Sequence, residues 1–348
     1  MIEIDGSQGE GGGQILRTSL TLSACLGKPI TITNIRSNRT VAGLRPQHVT
    51  AVRAVAQICG VEMEELTVGQ TKLVFRPGPV QTGTYALDIG TAGSTGLILQ
   101  TVALPLALGE GQSLLKITGG THNPKAPCFD YLAYAWVPLM RSVGVNMSVG
   151  MPRAGFYPRG GGTLVAQIEG GVQPGALVPM TLLERGALRS LKGAVKIANH
   201  PINIGHRMRR AAGLQMERRG LKPIQMEIEV IDATDAAGYC AMWAAFDDTH
   251  TACVGVTDKG KTPESAGAEA VGGMADFLDA EKSGRAGLDP NAADQMMLPL
   301  ALAGGPSRFT TSKVTRHCVT NAAVIEQMTG RSVTIEGRLG KPGTVTVS

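Results

Sequence analysis

The sequence predicts an α/β protein: three copies of one strand–helix repeat, with a smaller α/β domain inserted in the third. Three observations lead there. Strand-period and helix-period hydrophobic runs follow one another in the same order three times. Glycines punctuate the strand-to-helix junctions. The third copy is interrupted by about a hundred residues that carry helices and strands of their own. The chain has 348 residues, 43% of them hydrophobic, which suffices for a sizeable core and about two domains. Its 46 glycines and 19 prolines make up just under a fifth of the chain, below the range of low-complexity disorder.

In the first copy a strand at 2–6 runs into glycines, a buried helix follows from 14 to about 27, and 30–35 alternates with strand period. After a polar loop a second helix spans about 48–58 and stops at Gly60. The second copy repeats this with a strand at 85–90, a helix at 94–108, a strand at 114–118, a loop through Thr121-His122-Asn123 and a helix to about 143. The third opens with a strand near 181–184, then resumes with a helix at 292–303, a strand at 309–314, a loop through Arg316-His317 and a helix to about 328. The interruption has a helix at about 202–220, strands at 224–231 and 240–246, and a helix after Pro263. The expected division is therefore 1–184, an inserted 185–276, and 277–348. In each copy the loop between inner strand and second helix carries polar or basic residues: Arg36 and Arg39, then His122, then Arg316 and His317. Packing of the repeats about a common axis would bring these loops together.

Composition excludes several classes. A net charge of +5 is too mild for a protein that grips many phosphates along a duplex, and suits a few phosphates in one place. With 2 Trp, 5 Tyr and 6 Phe, a base-stacking platform is excluded. The six cysteines are scattered with no C-x-x-C pair, so neither a zinc site nor a disulfide framework is expected. The opening Met1-Ile2-Glu3-Ile4-Asp5 is no signal peptide, and the longest apolar stretch, 97–108, is broken by Gln100, Thr101 and Pro105. A soluble, cytoplasmic protein with no membrane partner is the expectation.

Gly6-Ser7-Gln8-Gly9-Glu10-Gly11-Gly12-Gly13-Gln14 joins a strand to a helix and offers either an anion-binding nest or a tight turn. It matches neither the dinucleotide fingerprint nor a P-loop. Gly255-Val256-Thr257-Asp258-Lys259-Gly260-Lys261-Thr262 does match the P-loop pattern, but no parallel strands and no strand-end aspartate follow it, so it reads as coincidence. His317 lies at the mouth of a helix beside Arg316, a setting that favours a neutral imidazole and leaves a ring nitrogen free as a nucleophile; a hydrogen-bonded structural histidine is the alternative. Arg207, Arg209, Arg210, Arg218 and Arg219 give the insert a basic helix, either a solvated face or an RNA contact.

These motifs together resemble the RNA 3′-terminal phosphate cyclase family across the whole chain. The match is carried by Asp5-Gly6-x-x-Gly9-Glu10-Gly11-Gly12-Gly13-Gln14-Ile15-Leu16-Arg17, Ile35-Arg36-x-x-Arg39, Gln47-His48, Gln100-Thr101, Gly119-Gly120-Thr121-x-Asn123-Pro124, Ala293-Asp294-Gln295 and His317-x-x-Thr320-Asn321. The resemblance implies three βαβαββ units similar to the C-terminal domain of translation initiation factor 3, with a small α/β insert in the third. It implies ATP-dependent conversion of an RNA 3′-phosphate end to a 2′,3′-cyclic phosphodiester, releasing AMP and diphosphate through histidyl-AMP and RNA-(3′)pp(5′)A intermediates.

By the same resemblance His317 is the nucleophile and Glu10 a ligand of a divalent metal, Mg2+ or Mn2+. Arg17, Arg36, Arg39 and Gln47 match phosphate-holding positions; Gln100, Asn291, Ala292, Ala293, Asp294 and Gln295 match nucleotide-binding ones, and Pro127 a residue beside the adenine. Where some members place an aromatic against the base, this chain has Asn291, and Ala252–Val254 supplies none. Two other classes stand beside the enzyme: a non-catalytic RNA-binding relative, against which His317 and Glu10 speak, and a P-loop NTPase using Lys261.

Overall fold

The computed structural model describes every residue except Glu64, Pro174 and Lys259. β1 (Ile2–Asp5) lies parallel to β2 (Ile30–Thr33), with α1 (Gly13–Leu26) as the crossover; after α2 (Pro46–Ile58) the chain returns as β3 (Leu73–Phe75), antiparallel to β2. The second repeat runs β4 (Thr84–Asp88), α3 (Thr95–Leu108) and β5 (Gln112–Gly119). It continues through α4 (Phe129–Tyr131), a π-helical turn (Leu132–Trp136) and α5 (Val137–Ser142), then β6 (Met147–Arg153) and β7 (Gly162–Glu169). After β8 (Thr181–Leu182) the chain departs into β9 (Leu188–Ala198), α6 (Ile202–Arg218), β10 (Glu227–Val230), β11 (Ala237–Phe246), β12 (His250–Val256), α7 (Pro263–Leu278) and α8 (Ala280–Ser283). It resumes the repeat with α9 (Pro290–Ala301), β13 (Ser307–Thr311), α10 (Arg316–Thr329), β14 (Val333–Gly337) and β15 (Gly343–Val347).

Strand order confirms the repeat. The second sheet reads β4-β5-β7-β6 and the third β8-β13-β15-β14, each with a parallel first pair followed by antiparallel neighbours. The first sheet, β1-β2-β3, has the same beginning. Residues of all three repeats share one apolar core, from Ile4 to Val347.

α1 is the axle of that core. It packs against α2, α3 and α10 and is buried on every side, which is why Thr18, Ser19, Thr21 and Ser23 replace larger residues along it. Most of their hydroxyls find partners: Thr21 donates to the Thr101 carbonyl at 2.8 Å and Thr18 to Asn321 Oδ1 at 2.8 Å. α3 carries the longest apolar stretch, tolerates Pro105, and is likewise buried nearly all round. Among the described residues no helix is long and apolar enough to cross a membrane.

The interrupting block forms a separate sheet, β10-β9-β11-β12, covered by α6 and α7, with its own cluster around Val195, Ile197, Met208, Met274 and Phe277. β9 is a central strand that the sequence reading did not identify, since its lysines and Gly193 blur the apolar pattern. On the basic helix, Arg207 pairs with Glu264 at 2.6 Å and Arg219 with Asp276 at 2.6 Å, so these side chains tie α6 to α7.

The P-loop-like run takes its structure from the same block. Gly255 and Val256 end β12, an edge strand antiparallel to β11, whereas a P-loop strand lies within a parallel sheet. Lys261 pairs with Glu269, Thr262 caps α7 by accepting from the Ser265 N–H at 3.1 Å, and Lys259 lies outside the described residues. Gly255 serves packing: a Cβ there would sit 2.0 Å from the Ala266 carbonyl oxygen. Gly255→Ala is expected to lower stability by about 1–3 kcal/mol in chemical denaturation. Lys261→Ala, which removes one half-exposed ion pair, should cost less than about 1 kcal/mol.

Candidate active site

The glycine loop between β1 and α1 is shaped by positive φ at Gly9 (57°) and Gly11 (58°) and docks onto the first turn of α10. Thr320 Oγ1 accepts from the Glu10 N–H at 3.1 Å and donates to the Arg316 carbonyl at 2.8 Å. Gly9 lies so close that a Cβ would stand 2.3 Å from Thr320 Oγ1. No side chain caps α1 and no acidic residue enters its first turn, so its amide dipoles face outward unanswered. α10 differs: Thr315 caps it by accepting from the Cys318 N–H at 3.1 Å, and His317 stands in its first turn.

Glu10 joins these pieces. One carboxylate oxygen pairs with Arg39; the other is 2.7 Å from His317 Nδ1, and among the described residues both of these buried atoms have no hydrogen-bond partner beyond that ion-pair contact. The His317 contact, helped by Arg39, holds the Glu10 carboxyl down to about 2, against the pull of burial. Glu10 in turn raises His317 above the ordinary imidazole range. The Glu10 contact thus works against the neutral ring expected from the neighbouring arginine and helix terminus. With Nδ1 on Glu10, Nε2 is the ring nitrogen left for chemistry.

Behind this pair lies a buried polar relay. Arg17 donates to Gln14 Oε1 at 2.8 Å, Gln14 Nε2 lies 3.3 Å from Asn321 Oδ1, and Asn321 Nδ2 donates to the Asp294 carbonyl at 2.9 Å. Burial draws the Arg17 guanidinium down to about 10 although Asp294 and Glu10 oppose it, and burial lifts the Asp294 carboxyl to about 7.

His317 opens onto a cavity of about 550 Å3, within the size range of small-molecule sites. Arg17, Gln100, Pro127, Asn291, Asp294 and Gln295 line it, joined by Lys125, Tyr131 and Trp136 and, from the insert, by Ala252–Val254 and Glu269. Among the described residues, Gln100 Nε2 and Gln295 Oε1 are buried there without partners. Unsatisfied donors and acceptors of this kind await a polar ligand edge. Among the described residues, no group of three or more His, Cys, Asp or Glu side chains is placed to hold a metal on its own.

A family model for RNA 3′-terminal phosphate cyclase matches residues 8–335. The chain belongs to the RNA 3′-terminal phosphate cyclase family. It is similar to proteins of that name from Methanopyrus kandleri, 38% identical over 354 residues covering 100% of this chain and 98% of the relative. The same name is borne by relatives from Nostoc punctiforme, 38% identical with 94% of each chain covered, and Pyrobaculum neutrophilum, 39% identical with 94% of this chain and 92% of the relative covered.

The cyclase-motif residues do not all meet. His317, Glu10, Arg39 and Arg17 converge, and Gln100, Pro127, Asn291, Asp294 and Gln295 share the cavity. Ala292 and Ala293 are in the core, with their N–H groups already donating to Asp289 at the α9 cap. Arg36 (φ 56°) turns its guanidinium onto the Val41 and Gly43 carbonyls at 2.8 and 3.0 Å, and Gln47 Oε1 accepts from the Ser94 N–H at 3.3 Å. The loops of all three repeats reach the site, the second through Lys125 and Pro127, but His122 does not: it is fully buried against Asp130, 3.2 Å away, and stacked on Tyr239 of the insert. His48, Thr320 and Asn321, which the sequence offers only as parts of the motifs, prove to support the site: Thr320 and Asn321 hold the glycine loop and α1, and His48 lies beneath Gly13.

His48 gives the site a pH signature. Buried beside Gly13, it accepts the Arg45 N–H on Nδ1 at 3.0 Å; burial, with Arg17, Arg36 and Arg45 adding to it, depresses it to about 3. A histidine kept neutral in the fold contributes stability that is lost as pH falls from its ordinary value of about 6.5 toward 3. His48→Asn should be about 1–3 kcal/mol less stable at pH 7, but its thermal midpoint should fall less steeply than wild type between pH 6.5 and 4.

Proposed function

We propose that the chain cyclises RNA 3′-phosphate ends at the expense of ATP, with His317 as the nucleophile. The observation that carries this reading is the Glu10–His317 contact at the edge of the cavity: Nδ1 is occupied and the unoccupied Nε2 is left for attack. Nε2 forms a bond to the α-phosphorus and the α–β phosphoanhydride breaks, releasing diphosphate. An oxygen of the RNA 3′-phosphate then displaces His317 from that phosphorus. The neighbouring 2′-OH, already held within reach, attacks the activated 3′-phosphate and AMP departs as the proton of the hydroxyl is lost. A phosphate monoester has only oxide to expel, which is why the nucleotide is needed.

Residues of this chain divide that work. Arg17 and Arg39, beside the uncapped start of α1, suit the triphosphate and the RNA phosphate, the guanidinium fork matching phosphate geometry. Gln100 and Gln295 offer a free donor and a free acceptor to the nucleoside, and Pro127 gives it an apolar face. For a divalent ion the fit is a single carboxylate, Glu10, with phosphate oxygens completing the shell, an arrangement that Mg2+ accepts readily. The ion would neutralise charge on the triphosphate. On this reading 1–184 and 277–348 form the catalytic body, and 185–276 walls the cavity from outside it.

The test is incubation with ATP radiolabelled at the α-phosphate and a divalent ion, followed by a denaturing gel. Acid-labile label is expected on wild type and on Lys261→Ala, with at least about a hundredfold loss for His317→Ala, and RNA bearing a 3′-phosphate should discharge it. An unlabelled wild type would overturn the covalent route.

A further inference from the structure

The insert meets the second repeat through a buried charged network that the reaction above does not use. Asp130, fully buried, has one oxygen on each side of the seam. Oδ2 lies 3.2 Å from His122 Nε2 in its own repeat, and Oδ1 accepts from Lys196 Nζ of β9 at 3.4 Å. The Gly155 N–H donates to Thr121 Oγ1 at 2.9 Å, and Thr121 Oγ1 lies 2.9 Å from His122 Nδ1 and 3.4 Å from the Gly155 carbonyl oxygen. Burial draws His122 below its ordinary value, although Asp130 opposes it. Lys196 and Tyr239 are cross-strand neighbours, and the Tyr239 ring stacks on His122 with centroids 3.9 Å apart. Farther along β11, Trp243 stacks on Tyr134 at 4.3 Å.

Both sides of this seam carry cavity wall. The 121–131 segment that holds His122 and Asp130 also supplies Lys125, Pro127 and Tyr131, while β12, two strands from Lys196, supplies Ala252–Val254. A buried ion pair contributes little net stability, yet removing one partner strands the other charge in the interior. Such a pair makes the seated arrangement of the two units exclusive of looser ones.

We propose that the Lys196–Asp130–His122 network is a latch that seats the inserted sheet against the second repeat and thereby sets the affinity of the cavity for nucleoside triphosphate. These are positioning residues, and the inference rests on the nucleotide reading of the cavity. Removal of Lys196 favours an opened arrangement in which Asp130 reaches water; removal of both charges lets the aromatic contacts reseat the insert. If the seated state falls to a tenth of the population, apparent affinity falls about tenfold.

The experiment compares wild type, Lys196→Met and the double variant Asp130→Asn/Lys196→Met, all full length. ATP affinity is measured by equilibrium dialysis and amide hydrogen exchange without nucleotide. Lys196→Met should bind ATP about tenfold or more weakly, with faster exchange confined to 121–131 and β12. The loss should appear in the KM for ATP rather than in the limiting rate of His317 labelling. The double variant should recover at least about threefold of the lost affinity, a coupling that independent effects on the fold would not produce. ATP affinity within twofold of wild type in Lys196→Met, or exchange that rises evenly along the chain, overturns the latch. Local opening in a protein that never acquires label would leave the latch standing and defeat the covalent reading instead.

Discussion

Everything at the site depends on the seating of the glycine loop against α10. The loop has no regular structure of its own, and its direction is set by two left-handed glycines and by the Thr320 hydroxyl beneath it. Any side chain at Gly9 would push the loop away from α10 and separate Glu10 from His317. α1 and α10 in turn lie together because α1 is buried on every face and joined to α10 through Thr18 and Asn321. The small polar residues of α1 therefore serve packing and site geometry at once: larger apolar groups would fill the core but widen the gap between the two helices.

Charge is balanced locally around this junction. Glu10 lies between one permanent and one titratable cation, and Arg17 is buried near Asp294 with its guanidinium on Gln14. The uncapped start of α1 adds partial positive charge where no acid answers it. The donors at this junction are thus held in fixed directions before any ligand arrives. The cavity beyond is less charged, and its two orphaned amide atoms mark the directions in which a ligand needs polar edges.

Much of the fold was legible because periodicity reports burial, and burial is what the repeat shares. α1, α3, α9 and α10 were all found within a few residues of their ends. β9 escaped because its lysines, one exposed at Lys192 and one turned into the seam at Lys196, break the alternation that announces a strand. The site was legible where a motif forced residues together, as in the glycine loop and the His317 turn. It was illegible where partnership crosses long sequence separations. Nothing local in 121–131 signals that Asp130 meets Lys196, 66 residues on, or that His122 stacks on a tyrosine of the insert. The contact that raises His317 was illegible for the same reason: Glu10 comes from the opposite end of the chain.

That separation has a consequence for how the protein comes into being. The hydrogen bond that seats Glu10 on α10 joins residues 310 positions apart. At ordinary rates of synthesis the ribosome needs roughly fifteen to sixty seconds to travel that distance. Throughout the interval the nascent chain can fold its first two sheets, yet it holds a carboxylate without its histidine. The pair comes into existence only once nearly all of the polypeptide has emerged, so an interrupted chain, however well folded its early repeats, never assembles it.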